Sequence, residues 1–302
     1  MSKNSYWSMS SDTNGTCNPN VGFIGLGNIG LPMALNLIED GFDVTVADLR
    51  SEPIETAVAA GATEETDLEH LAQTCDIIEI VVDGDEAVRS VVFEEELFSR
   101  MRPGTILIIH STIRPQTMEE LDEAGAEHGV VVMDAAVSGG DTGAKAGTLT
   151  IMVGGEPEYL EQCRGLFETI GEDIFHTGPV GSGQAAKLSN NIMTHGNHLL
   201  ALEAMKLAEA YGIDEETMAS VASVSTGGSW IIDNWGFYDR YLEEHTLAGS
   251  DELYFFLRHA TKDALAAAAE KNVALPLAGL SSEYRPIALA ERYQQLIDKD
   301  TA

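Results

Sequence analysis

Two textures divide the chain. From Val21 to Gly178, short apolar runs rich in β-branched residues recur: VGFIG (21–25), DVTVAD (43–48), IIEIVV (77–82), TILIIH (105–110), VVVMDAAV (130–137), LTIMVGG (149–155) and DIFHTG (173–178). Continuous apolar runs of this length suit parallel strands buried on both faces. Between them lie helical stretches, such as the one from about Ile29 to Glu39, which Gly41 stops, and TMEELDEAGAEHG. Strands alternating with helices predict an α/β fold with a doubly wound parallel sheet.

From Gly183 the strand signals give way to helix. GQAAKLSNNIMTHGNHLLALEAMKLAEAYG reads as one long helix that ends at Gly212. DEETMASVASVS, DELYFFLRHATKDALAAAAEKN and EYRPIALAERYQQLIDK continue the helical pattern. The GPVGSG turn marks the boundary. The expected organisation is therefore a polar, disordered tail over 1–20, an α/β domain over 21–180 and an all-helical domain over 181–302.

Charge and composition narrow the partners. The chain has 302 residues and a formal net charge of −32, with 49 acidic and 17 basic residues. Such a field repels phosphates, which argues against nucleic acid and anionic membrane surfaces. No apolar run approaches a membrane span, and the first twenty residues lack the apolar core of a secretory signal, so the cytoplasm is the expected location. Cys17, Cys75 and Cys163 are too scattered for a disulfide framework or a metal site, and no metal is expected. His195 and His198, three apart on the long helix, have no marked third ligand and are expected to pack or line a pocket.

The first turn of the α/β domain carries candidate chemistry. GLGNIG places Gly25, Gly27 and Gly30 in G-x-G-x-x-G order between a strand and a helix, with Leu26, Asn28 and Ile29 filling the loop. Gly25 permits the tight turn, Gly27 lets a pyrophosphate approach the backbone, and Gly30 lets helix and strand pack closely. Asp48 ends the second strand and is placed to accept hydrogen bonds from the adenosine ribose. Its charge favours NAD, whereas Arg50, beyond Leu49, leaves NADP open.

Three further stretches follow in order: VSGGDTGAKAGTLTIMVGG (137–155), GPVGSGQAAKLSNN (178–191) and KDALAAAAEKNVALPL (262–277). Together with the glycine loop they resemble the β-hydroxyacid dehydrogenase family, over roughly Val21 to Leu280. The resemblance implies a Rossmann domain joined by a long helix to an all-helical domain, and assembly through the helices into a homodimer or homotetramer. It implies a small carboxylate substrate. Lys187 matches the family's catalytic lysine and Asn191 the asparagine beside it. Ser138, Gly139 and Gly140 match the loop that holds the substrate carboxylate. Thr112 matches a residue near the nicotinamide, and Lys262 a lysine near the cofactor. Three positions depart from the pattern: Val82-Asp83 stands where Leu-Pro is usual, Ala136 replaces a proline, and Gly228 stands where arginine is frequent. Val82 and Asp83 still fall in the loop expected to face the cofactor.

The chemistry gives these residue types a reason. Hydride transfer to a carbonyl builds negative charge on oxygen, and a lysine aimed there can stabilise the charge and exchange the proton. An ordinary lysine, with a pKa near 10.4, must be lowered to do so near neutrality. Desolvation and the positive end of a helix dipole would both act in that direction. Asn191, four residues on, shares a helix face with Lys187. The glycines after Ser138 expose N–H groups to an anion. The expected activity is hydride transfer between a nicotinamide cofactor and a small β-hydroxy acid or its semialdehyde. An imine reductase on the same scaffold and a non-catalytic dinucleotide-binding protein are the alternatives.

Overall fold

The computed structural model describes residues 19–240 and 252–300, with the side chains of 252–260 and 299–300 left aside. The expected tail therefore lies outside the described residues except at its end, where the first strand already begins at Asn20.

Eight strands form one sheet: β1 (Asn20–Ile24), β2 (Asp43–Ala47), β3 (Thr63–Glu64), β4 (Ile77–Ile80), β5 (Ile106–Ile109), β6 (Val131–Ser138), β7 (Leu149–Gly154) and β8 (Gly171–Gly178). Their order is β3-β2-β1-β4-β5-β6-β7-β8. All neighbours are parallel except β6 and β7, which run antiparallel with Ser138 opposite Thr150. The doubly wound parallel sheet expected from the sequence is thus present, with one antiparallel pair added near its edge. The connection between these two strands, Gly139 to Thr148, is a short helix and its flanking residues. That is too little chain for the crossover a parallel pair requires.

The strands alternate their side chains between two cores. Val21, Phe23, Ile77, Ile106, Ile108 and Met133 pack on one face, and Ile24, Ile78, Ile80, Leu107, Ile109 and Val132 on the other. Burial on both sides explains why the runs read as continuously apolar. Helices cover the faces, among them α1 (Gly30–Glu39), α2 (Ser51–Ala60) and the helix Pro115–Glu127. The two-residue β3 and several short helices left no readable pattern.

A helix of 29 residues, Ser182–Ala210, follows the sheet, close to the single long helix expected. The chain divides into two compact units between Lys187 and Leu188, inside this helix. The described residues of the second unit are helical apart from turns. It includes Glu215–Ser223, whose N-terminus is capped by Asp214, Trp230–Asp233, Glu252–Glu270 and Pro276–Asp300. Its core gathers Ala201, Met205, Ala219, Ala222, Ile231 and Ile232. Arg292 ties it together by pairing with both Glu215 and Asp239. His195 hydrogen-bonds Thr261, and His198 stacks on Tyr238 at 4.6 Å between ring centres. Burial, with Arg285 and Arg292 nearby, pushes His198 down to a pKa of about 3, so it stays neutral at ordinary pH. Among the described residues no helix is long and apolar enough to cross a membrane.

The charge of −32 has a thermal consequence. Raising salt from about 0.01 to 1 M shortens the screening length from about 30 to 3 Å. Relief of self-repulsion by about 2 kcal/mol corresponds to roughly 4–8 °C for domains of this size. Differential scanning calorimetry across a sodium chloride series is expected to show that rise, and a flat series would contradict it.

Candidate active site

The C-terminal ends of β1, β2, β4, β5 and β6 lie along one edge, because these strands are mutually parallel. The order reverses between β1 and β4, which is where open α/β sheets bind ligands. The sequence-expected residues Gly25–Gly30, Asp48–Arg50, Val82-Asp83, Thr112 and Ser138–Gly140 lie at or just beyond these strand ends.

Each glycine of the first loop has its own task. Gly25 adopts φ +96°, and a Cβ there would sit 2.2 Å from the Val81 carbonyl oxygen. A Cβ on Gly30 would sit 2.1 Å from the Gly25 carbonyl oxygen, so α1 could not pack so close to β1. Gly27 has nothing within 4 Å of where a Cβ would be, which leaves room for a ligand against the backbone. Helix α1 receives no side-chain cap and carries no acidic residue in its first turn. Its N-terminal donors suit a pyrophosphate. The residues present thus fit a dinucleotide.

Asp48 closes the loop on itself. One carboxylate oxygen accepts the Leu26 N–H at 2.6 Å, and the other accepts the backbone N–H and Nε of Arg50. Partial burial opposes its charge, but Arg50 and these N–H groups outweigh it and hold the carboxyl below its usual range. The Arg50 guanidinium also reaches the Leu26 carbonyl. Leu49 beside them is fully exposed.

The loop after β5 carries Thr112, half-buried, and is held from several sides. The Val82 N–H donates to Ser111 Oγ at 2.8 Å, so the unusual Val82-Asp83 turn is fixed by a hydroxyl instead of a proline. Val82 is half-buried and Asp83 is exposed. Asp85 accepts from the Arg114 backbone, the Arg114 guanidinium and Thr117. Ser138 ends β6, and Gly139 and Gly140 follow at φ +136° and +64°, both exposed. Their left-handed backbone opens the helix Gly140–Ala146 and presents N–H groups as the anion-binding reading requires.

Lys187 sits in the second turn of the long helix, half-buried, and burial lowers its pKa to about 8. Desolvation is the cause of that lowering. Asp134, fully buried on β6, accepts the Gly181 and Gln184 N–H groups at 2.7 Å each and so neutralises the helix start. Its own burial pushes the Asp134 carboxyl up to about 6 despite those bonds. Asn191 and Lys262 belong to the second unit, where Asn191 is buried and Lys262 exposed.

Sequence reasoning did not single out Asp134, Gln184, Ser111, Asp85 or Arg114. It also passed over a buried pair beneath the loop: His110 Nδ1 donates to the Ala135 carbonyl at 2.7 Å, and His110 Nε2 meets Glu79 at 3.0 Å. A glutamate inside the apolar run IIEIVV was the available signal.

Comparisons with known proteins agree with this geometry. Residues 20–178 match the family model described as the NAD binding domain of 6-phosphogluconate dehydrogenase. Residues 181–300 match the one described as the NAD-binding of NADP-dependent 3-hydroxyisobutyrate dehydrogenase. The NAD-dependent L-serine dehydrogenase of Pseudomonas aeruginosa is 38% identical over 214 residues, 70% of this chain and 72% of that protein. The solved 3-hydroxyisobutyrate dehydrogenase of Mycobacterium tuberculosis with L-serine superposes with a TM-score of 0.78 at 27% identity, covering 90% of this chain and 94% of that one. An imine reductase from Myxococcus stipitatus gives 0.64 at 17% identity, over 91% and 94%, which shows the fold alone. The fold and loop define a nicotinamide-dinucleotide-dependent oxidoreductase. The chain belongs to the β-hydroxyacid dehydrogenase family.

Proposed function

We propose that this protein interconverts a small β-hydroxy acid of the L-serine or 3-hydroxyisobutyrate type and its semialdehyde, with Lys187 as general acid/base. The observation that carries the reading is the place of Lys187, partly buried in the second turn of the helix that follows the dinucleotide-binding sheet, where burial lowers its pKa. The nicotinamide supplies the hydride acceptor in one direction and the donor in the other. The chain's own groups handle the proton and the anion. In oxidation, neutral Lys187 Nζ takes the hydroxyl proton; in reduction, the ammonium gives it back. Ser138, Gly139 and Gly140 hold the carboxylate, which matters because the overall field repels anions. Asn191 orients Lys187 one turn along the helix. Thr112, Val82, Asp83 and Lys262 border the cofactor, and Asp48 selects NAD over NADP.

A pH prediction follows. A group of pKa about 8 is roughly one-tenth neutral at pH 7 and nine-tenths at pH 9. Oxidation needs the neutral amine, so its kcat is expected to rise about tenfold through that window, and reduction to fall through it. Absorbance of reduced nicotinamide, followed with NAD and NADP in parallel against L-serine and 3-hydroxyisobutyrate, measures this. Equal pH trends in both directions would remove Lys187 from the role. Turnover of imines with silence toward hydroxy acids would favour the other reductase chemistry.

The functional form is a homodimer or homotetramer in the cytoplasm, with no nucleic-acid or membrane partner. Met193, Leu200 and Leu207 recur every seven residues along the long helix and are 59%, 66% and 63% exposed. A second copy of the chain would cover this stripe. Light scattering is expected to give a multiple of the 32.4 kDa chain mass, and a double Leu200→Glu, Leu207→Glu change to give the monomer.

A further inference from the structure

Gln184 ties the loop that carries Thr112 to the helix that carries Lys187. Its amide is fully buried. Oε1 accepts the Ile113 N–H at 3.0 Å, and Nε2 donates to the Ser111 carbonyl at 2.8 Å. One side chain thus grips the backbone on both sides of Thr112. Its own N–H donates to Asp134 at 2.7 Å, which ties the backbone at this position to β6. Lys187 is three residues further, on the same helix face.

Asp134 makes this seat from a strand, not from the helix's own cap position. Its two oxygens take the Gly181 and Gln184 N–H groups. The approach depends on missing side chains. A Cβ on Gly154 would lie 2.3 Å from Asp134 Oδ1, and one on Gly183 would lie 2.7 Å from Oδ2 and 2.2 Å from the Met152 carbonyl oxygen. Asp134 is four residues before Ser138 on the same strand. Strand β6, the Thr112 loop and the turn leading to Lys187 are therefore locked by one chain of hydrogen bonds. No buried side-chain nitrogen or oxygen of Asp134 or Gln184 lacks a hydrogen-bond partner, and a satisfied polar network rigidifies its surroundings.

We propose that Gln184, seated by Asp134, is a positioning residue that sets the distance between the Thr112 loop and the Lys187 ammonium. This rests on the role given to Lys187 above. A change in that spacing of about an ångström is enough to cost up to about 10²-fold in rate. A residue needed only for folding would lower stability without altering Lys187 itself.

The test compares wild type with Gln184→Met, which keeps the volume and removes both loop bonds. Two quantities are read. The first is kcat and KM for the oxidised hydroxy acid. The second is the pH dependence of Lys187 acylation by acetic anhydride, followed by peptide mass spectrometry, which needs no substrate. In wild type the acylation midpoint is expected near 8. In Gln184→Met the loosened turn admits water to the ammonium, and the midpoint is expected to rise by about one unit or more toward the ordinary lysine value. kcat is expected to fall about 10–100-fold, with KM within about threefold. An unchanged midpoint and kcat in a folded variant would overturn the inference. A shifted midpoint in a protein that turns over no hydroxy acid would keep the positioning role and sink the substrate reading instead. Should Gln184→Met fail to fold, Gln184→Asn keeps an amide but falls one methylene short of the loop, and the same two readouts decide.

Discussion

A Lys187→Met chain is expected to bind reduced nicotinamide cofactor as wild type does and to turn over about 10²–10⁴-fold more slowly. The loss would fall on kcat, because methionine fills the space but exchanges no proton. Stability is expected to move the other way. Lysine has an ordinary pKa of 10.5, and its lowering to about 8 means that the folded chain disfavours the charged form. The penalty grows as pH falls from 10.5 through 8 and is complete at pH 7. The difference amounts to about 3 kcal/mol that methionine would return. Steady-state kinetics, fluorescence titration with NADH and thermal melting together check this. Turnover within a few-fold of wild type would refute the acid/base role. A variant both slower and less stable would point to misfolding and not to chemistry.

The second large effect separates folding from binding within one loop. Gly30→Ala puts a Cβ 2.1 Å from the Gly25 carbonyl oxygen, so α1 must retreat from β1. Overpacking of this kind costs about 1–3 kcal/mol, and the displaced helix start no longer faces the phosphates. NADH affinity is expected to fall about 100-fold or more, together with the melting temperature. Gly27→Ala is the contrast, since its Cβ would meet nothing within 4 Å. Its melting temperature is expected to stay close to wild type while NADH binding weakens by about tenfold or more, the methyl taking ligand space. If Gly27→Ala bound NADH normally, the pyrophosphate would not lie against that residue.

Much of this architecture was legible because its signals are local. Apolar runs at 77–80 and 106–109 are buried on both faces, and that alone produces their pattern. The glycine loop reads from sequence because each glycine meets a nearby backbone atom or an open space. Lys187 emerged through the motif around it, not through helix periodicity, since Lys and Asn four apart are common on solvated faces. What escaped depends on contacts between distant residues. Asp134 and Gln184 are 50 positions apart, and Gln184 and Ser111 are 73 apart. A glutamine early in a helix is unremarkable until the loop it grips is seen. The reversal of β7 escaped as well, because an apolar strand reads the same in either direction.

The break between the two units at the Lys187–Leu188 peptide carries a lesson for inheritance. Lys187 travels with the nucleotide-binding half, while Asn191 and all that follows travel with the other. A recombination crossover at that peptide would exchange one helical half for another without touching Lys187 or the hydrogen bonds that seat its turn. The graft must continue the helix in phase and, under the proposal above, bring an equivalent of Asn191 and of Lys262 with it. A lineage, or an engineer, can in this way vary the helical half while the nucleotide-binding half and Lys187 are handed on intact.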